Sequence, residues 1–155
     1  MARVTRDPYT VNDASPRATL GMLYDGLDEL GLPAKFRYVQ FEDAVTYVAG
    51  HVCEFSDATM KQVTNDKSGG SSLGRCPAGL ALKAMTQNYY GYVLVQGYHS
   101  NCLGDGSVGV GQAVMSHAST DGAADTQTAG NKQIGVALAD DAGSPTVFAG
   151  YFNFL

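Results

Sequence analysis

Large apolar residues begin to alternate with polar ones at Lys35: Phe36 and Tyr38 stand against Lys35 and Arg37, and Val39 and Phe41 continue the run. That period of two with aromatic and β-branched residues predicts a half-buried strand. Residues 45–55 hold a similar composition around Gly50, which predicts two strands or one bent at the glycine. The stretch 89–98, Tyr-Tyr-Gly-Tyr-Val-Leu-Val-Gln-Gly-Tyr, has the strongest strand composition and is expected at the centre of a sheet. Residues 146–155 end on Phe152, Phe154 and Leu155, so the last strand is expected to be tucked in rather than frayed. Thr120-Asp121-Gly122 predicts a hairpin turn, residues 123–130 a loop or weak edge, and residues 64–74 a long polar, mobile loop.

Before residue 35 the pattern is weaker. Residues 1–20 scatter Pro8, Pro16, Asp7, Asn12, Asp13 and Ser15 among few large apolar groups, so no period persists. Leu23, Leu27 and Leu30 have the spacing of one helix face, but Gly21 and Gly26 weaken it and Gly31-Leu32-Pro33 stops it, which predicts at most a short helix of two turns. Residues 1–34 are therefore expected to be an extended N-terminal arm, and residues 35–155 a β domain.

Part of that domain occurs twice. A shift of 56 residues lays Gly79-Leu80-Ala81-Leu82 on Gly135-Val136-Ala137-Leu138, Tyr92-Val93 on Phe148-Ala149, and Tyr98 on Phe154 without a gap. A shift of 61 lays residues 48–53 on 109–114, including Gly50 on Gly111. The expected fold is all-β, a small barrel or sandwich built from two similar halves at about 48–98 and 109–154. Units of that size are too small to bury separate cores, so one shared core is expected.

Composition narrows the function classes. Ten Lys plus Arg against fifteen Asp plus Glu give a net charge of −5. A surface of that sign repels phosphate, which argues against nucleic acid as a partner. No apolar run reaches the roughly 18 residues of a spanning helix, and residues 1–6 lack the apolar segment of a secretory signal, so no membrane role is expected. Cys53, Cys76 and Cys102 form an odd set without close pairing, which predicts free thiols and a chain made in a cytosol.

Several short motifs invite chemistry. Gly104-Asp105-Gly106-Ser107-Val108-Gly109 satisfies the dinucleotide pattern, but a strand-like segment follows where a helix is needed. Gly70-Ser71-Ser72-Leu73-Gly74 matches a nucleophile elbow, yet lies in a polar loop without a following helix; a small hydrolase using Ser72 is the alternative of another class. His51 with Cys53, and His99 with Cys102, are two incomplete zinc pairs. Asp140-Asp141, and Asp121 with Asp125, lack the alternating ligands of a calcium loop. These observations predict no catalytic residue, no cofactor and no metal.

The order of the parts resembles the capsid decoration, or cement, proteins of tailed bacteriophages. The likeness is carried by Lys35-Phe36-Arg37-Tyr38-Val39-Gln40, Pro77-Ala78-Gly79-Leu80-Ala81-Leu82, residues 90–98, Ile134-Gly135-Val136-Ala137-Leu138 and the apolar terminal strand. The resemblance implies a non-enzymatic virion protein on the outer capsid surface that stabilises the head by binding major capsid protein subunits, commonly as a homotrimer. A tail, fibre or baseplate binding module is the alternative. The arm is expected to carry attachment and the body stability. Residues expected to touch partners are Arg3, Arg6, Tyr9, Arg17, Leu20 and Tyr24 in the arm, with Tyr151, Phe152 and Phe154 in the last strand, since adjacent strand pairs hold more aromatics than one face buries.

Overall fold

The computed structural model describes residues 2–42, 46–67, 76–141 and 146–155. Eleven strands follow in chain order: β1 (Ala2–Arg3), β2 (Leu23–Leu27), β3 (Pro33–Phe41), β4 (Val52–Phe55), β5 (Gln62–Thr64), β6 (Pro77–Ala81), β7 (Tyr90–Leu103), β8 (Ala113–Ser116), β9 (Ala124–Thr126), β10 (Gly135–Ala137) and β11 (Val147–Asn153). The all-β fold expected from the sequence is found, and the described residues contain no helix.

Two rings of strands share one long strand. β3 pairs antiparallel with β7 and parallel with β5; β5 pairs with β4, β4 with β6, and β6 returns to β7. The C-terminal part of β7 then pairs with β11, β11 with β10, β10 with β8 and β8 with β9. A parallel bridge between Gly104, just past β7, and Ala124 closes this second ring. With 14 residues, β7 is long enough to end the first ring and begin the second.

The two halves repeat hydrogen bonds as well as residues. Gly50 N–H donates to Ala81 O, and Gly111 N–H to Ala137 O, each at 2.8 Å; Ala81 N–H donates to His51 O and Ala137 N–H to Gln112 O, each at 2.9 Å. Val52 stands opposite Leu80 as Ala113 stands opposite Val136, and Glu54 opposite Thr64 as Met115 opposite Asp125. Gly50 and Gly111 both adopt positive φ, 86° and 79°, where a side chain is disfavoured. The correspondence slips by one residue in the last pairing, where Leu80 faces Leu94 but Val136 faces Tyr151. A single cluster runs through both halves and includes Phe36, Phe41, Leu80, Leu94, Phe148 and Phe152, so the core is shared.

The short helix expected near Leu23 is instead the strand β2, paired with β3 along all five residues. Gly26, which weakens a helix, serves the strand: a Cβ there would lie 2.8 Å from the Phe36 ring. The preceding segment packs on the body. Val11 is fully buried, and Asp13 exchanges two backbone hydrogen bonds with Tyr90, each 2.8 Å.

The expected surplus of outward aromatics is also corrected. Tyr92, Phe152 and Phe154 are buried, Tyr89, Tyr90 and Tyr98 half-buried, and only Tyr151 is exposed, at 41%. The N-terminal strands cover the face of β7 that alternation would have left open: Tyr92 packs edge-on against Tyr24 (5.6 Å) and Tyr38 (5.0 Å), while Tyr38 stacks on Tyr90. The thiols of Cys53, Cys76 and Cys102 are free, and only Cys76 is exposed.

Candidate functional site

Arg6 and Arg17, expected to reach a partner, converge instead on Asp13. Arg6 Nη1 donates to both carboxylate oxygens at 2.9 and 2.8 Å, and Arg17 Nε lies 3.9 Å away. Tyr38 Oη donates to Asp13 Oδ2 at 2.9 Å and accepts the Arg17 backbone N–H at 3.2 Å; burial pushes this phenol up to about 12. Tyr24 is buried and its hydroxyl accepts from Thr19 N–H, Tyr9 packs edge-on against Phe36, and Leu20 is half-buried against the core. These residues fasten the N-terminal segment to the body. Of the expected partner residues, Phe152 and Phe154 belong to the core, and Arg3 on β1 and Tyr151 on β11 remain displayed.

The surface most suited to contact is the turn between β2 and β3, which the helix expectation obscured. Leu27, Leu30 and Leu32 are 57%, 60% and 50% exposed, and a groove lined by Leu32, Pro33, Ala34, Gln96 and Tyr151 lies beside them. The turn is firmly braced. Asp28, itself buried, accepts the N–H groups of Leu30 and Leu32 on one oxygen and of Tyr98 on the other, while Glu29 accepts Ser100 N–H at 2.7 Å. Apolar side chains on a fixed turn lose little entropy when a partner covers them. The legible signal was Asp28 three residues before Gly31, whose φ is +75°.

Among the described residues, the carboxylates in and near the motifs that invited chemistry accept hydrogen bonds from the chain's own backbone. In the Gly104–Gly109 stretch, the N–H groups of Gly106 and Val108 point at the two carboxylate oxygens of buried Asp141, at 2.7 and 3.1 Å. Asp140 accepts Val110 N–H, and Asp121 accepts Lys67 N–H. Burial pushes the Cys53 thiol up to about 12 and the Cys102 thiol upward too, and it holds His51 and His99 below the usual imidazole value. Ser72 lies outside the described residues.

One three-group cluster, Asp105, His117 and Asp125, has ligand atoms within 4.8 Å of one another. His117 Nδ1 accepts the N–H groups of Ser119 and Thr120 at 3.0 and 2.8 Å, so the imidazole proton sits on Nε2, facing Asp105 Oδ2 at 3.7 Å. A metal needs the lone pair that this proton occupies. Ser107 Oγ also lies 2.7 Å from Asp105 Oδ1 and 3.1 Å from Asp125 Oδ1. These hydrogen bonds tie together the loops that carry Asp105, His117 and Asp125.

A buried polar trio lies at the seam of the two rings. Lys67 Nζ forms an ion pair with Glu54 Oε1, both side chains being 3% exposed. It also donates to Ser116 Oγ at 2.6 Å, and that hydroxyl donates to Glu54 Oε1 at 2.8 Å. An ammonium has no lone pair with which to take a proton from Ser116, whose hydrogen is already committed to Glu54. The trio therefore bridges β4 to β8 and does not make a nucleophile and base. Among the described residues Glu54 Oε2 is buried without a partner, beside a half-open cavity of about 70 Å³ that Ser116, His117, Asn131 and Lys132 help to line and that is large enough for ordered water.

No protein-family model matches the sequence, and no curated protein matches it. Among solved structures, the chain is similar to the N base of head fibre gp8.5 in bacteriophage phi29, with a TM-score of 0.51 and 11% identity over 77% of this chain and 93% of that one. At that identity the likeness is one of fold.

Proposed function

We propose that the chain is a non-enzymatic structural protein of a phage virion, which decorates the outside of the head and stabilises the shell by binding major capsid protein subunits. The observation that carries this reading is the fold likeness to the base of a phage head fibre, spanning nearly all of that chain. It agrees with a Gly104–Gly109 stretch whose N–H groups are engaged by the chain's own Asp141. The contact surface in this reading is the braced leucine turn with its groove and Tyr151. Any self-association, as a trimer or otherwise, must use such displayed groups, because Phe152 and Phe154 are committed to the core.

Co-sedimentation of the purified protein with emptied phage heads tests the proposal. Saturable binding at a fixed ratio to the major capsid protein is expected, and Leu30→Asp should weaken it at least tenfold without moving the melting midpoint. Absence of binding to heads of the parent phage would sink the reading. The fibre-base alternative is favoured by the neighbour being part of a head fibre. It predicts sparse binding with a longer projecting assembly, whereas decoration predicts many short copies, so stoichiometry on intact virions separates the two.

A further inference from the structure

Arg37 lies in the middle of β3, opposite Leu23 of β2 and Val93 of β7. Its guanidinium carbon sits 5.0 Å from the centre of the Phe55 ring, and Phe55 is itself 3% exposed. The side chain is half-buried, and its Nε is fully buried without a hydrogen-bond partner. No described carboxylate pairs with it, although the chain has an excess of acids and finds them for Arg6, Lys35 and Lys67. Burial draws its pKa down from the usual arginine value, opposed by the nearby Cys76 and by no carboxylate.

A guanidinium in this position is costly for a fold acting alone. Its Nε surrenders hydration with only the aromatic face in return, while the terminal nitrogens are not among the buried unpaired atoms; a methionine or leucine would fill the same space without a charge to desolvate. What Phe55 supplies is orientation: the ring fixes the plane of the fork, and a fork held in one plane is pre-organised for a two-oxygen acceptor.

We infer that Arg37, braced on Phe55, is a docking point for a single carboxylate of a partner protein, an Asp or Glu side chain presented beside β3. The choice of carboxylate over phosphate follows from charge. A net −5 surface repels each added negative charge, so a carboxylate carrying one is disfavoured less than a phosphate or a polyanion such as nucleic acid, and it matches one unpaired guanidinium. The site is separate from the leucine turn and deepens the proposed binding role by naming the chemistry of a second contact. It rests on the chain being a binding module, not on the partner being a capsid.

The test uses the whole chain and no phage heads, so its failure is distinguishable from failure of the head-binding proposal. The probe is the peptide acetyl-Gly-Glu-Gly-Glu-Gly-amide, with its glutamine counterpart and inorganic phosphate as controls, followed by amide shifts of Leu23, Phe55 and Val93. Saturable shifts are expected with the glutamate peptide only. Arg37→Lys should weaken binding about tenfold and Arg37→Met abolish it, while Arg37→Met leaves the melting midpoint unchanged or raises it by about 2–5 °C. A fall in that midpoint would make Arg37 a structural cation–π residue and overturn the inference. So would wild-type protein that ignores the glutamate peptide or answers equally to phosphate.

Discussion

Replacing Asp13 by alanine tests how the N-terminal segment is held. Its side chain is 7% exposed and accepts the buried hydroxyl of Tyr38 at 2.9 Å. The exposed Arg6 contact adds little that solvent does not replace. The loss is therefore set by Tyr38, whose hydroxyl keeps the Arg17 N–H as donor but loses its own acceptor. A buried donor left unsatisfied costs about 1–3 kcal/mol, and a hydrogen bond to a charged group stands at the upper end of that range. For a chain of this length, each kcal/mol moves the midpoint by roughly 2–4 °C, so Asp13→Ala should melt about 4–12 °C lower. Asp13→Asn, which keeps an acceptor, should lose less than half as much. Tyr38→Phe removes the stranded donor, so the double variant should be no less stable than Asp13→Ala. Urea and thermal melts of the four proteins give the cycle. Additive losses, or a loss under about 0.5 kcal/mol for Asp13→Ala, would refute the view that this network fastens the segment.

Lys67→Met leaves Glu54 charged and buried at the seam and should cost about 3–5 kcal/mol in urea melts, with Glu54→Gln added on top recovering most of it. The paired glycines should differ sharply despite equal φ: Gly50→Ala would place a Cβ 1.5 Å from Asn101 O and cost about 3 kcal/mol or more, whereas Gly111→Ala meets nothing within 4 Å and should cost about 1 kcal/mol. Burial lowers the folded pKa of His51 and His99, so below about pH 6.5 the unfolded chain takes up more protons. The stability they contribute is present above that pH and lost as pH falls through it, by at most about 1.4 kcal/mol per unit for each; denaturant melts between pH 7.5 and 5.5 should show a slope that shrinks in His99→Gln.

The duplication was legible because strand partners constrain spacing. An ungapped shift of 56 preserved the apolar positions, a second shift of 61 preserved the turn glycines Gly50 and Gly111, and the same hydrogen bonds followed. The segment before residue 35 was not legible for the converse reason. Leu23, Leu27 and Leu30 fit a helix face by spacing alone, and only the close approach of Phe36 to Gly26, a contact between strands, selects the extended form. The convergence of Arg6, Arg17 and Tyr38 on Asp13 is likewise tertiary, spanning up to 25 residues with no local pattern. The aromatics were assigned outward by counting one buried face per strand pair; Tyr92 has Tyr24, Phe36 and Tyr38 around it because β2 and β3 supply a second covered face.

β7 belongs to both rings, so pulling on any strand hydrogen-bonded within them strains a closed circuit, and β7 cannot be displaced without opening both. A partner that recruited β4, β6 or β10 by strand addition would have to break existing pairs first. The elements outside the rings are β1, β2 and the turn to β3, joined to the rest through one ladder with β3. These carry Arg3 and the exposed leucines, and their turn is tied by Asp28 and Glu29 directly to Tyr98 and Ser100 on β7. Load received at the leucine turn therefore passes through two hydrogen bonds, from Tyr98 N–H to Asp28 and from Ser100 N–H to Glu29, into the one strand common to both halves.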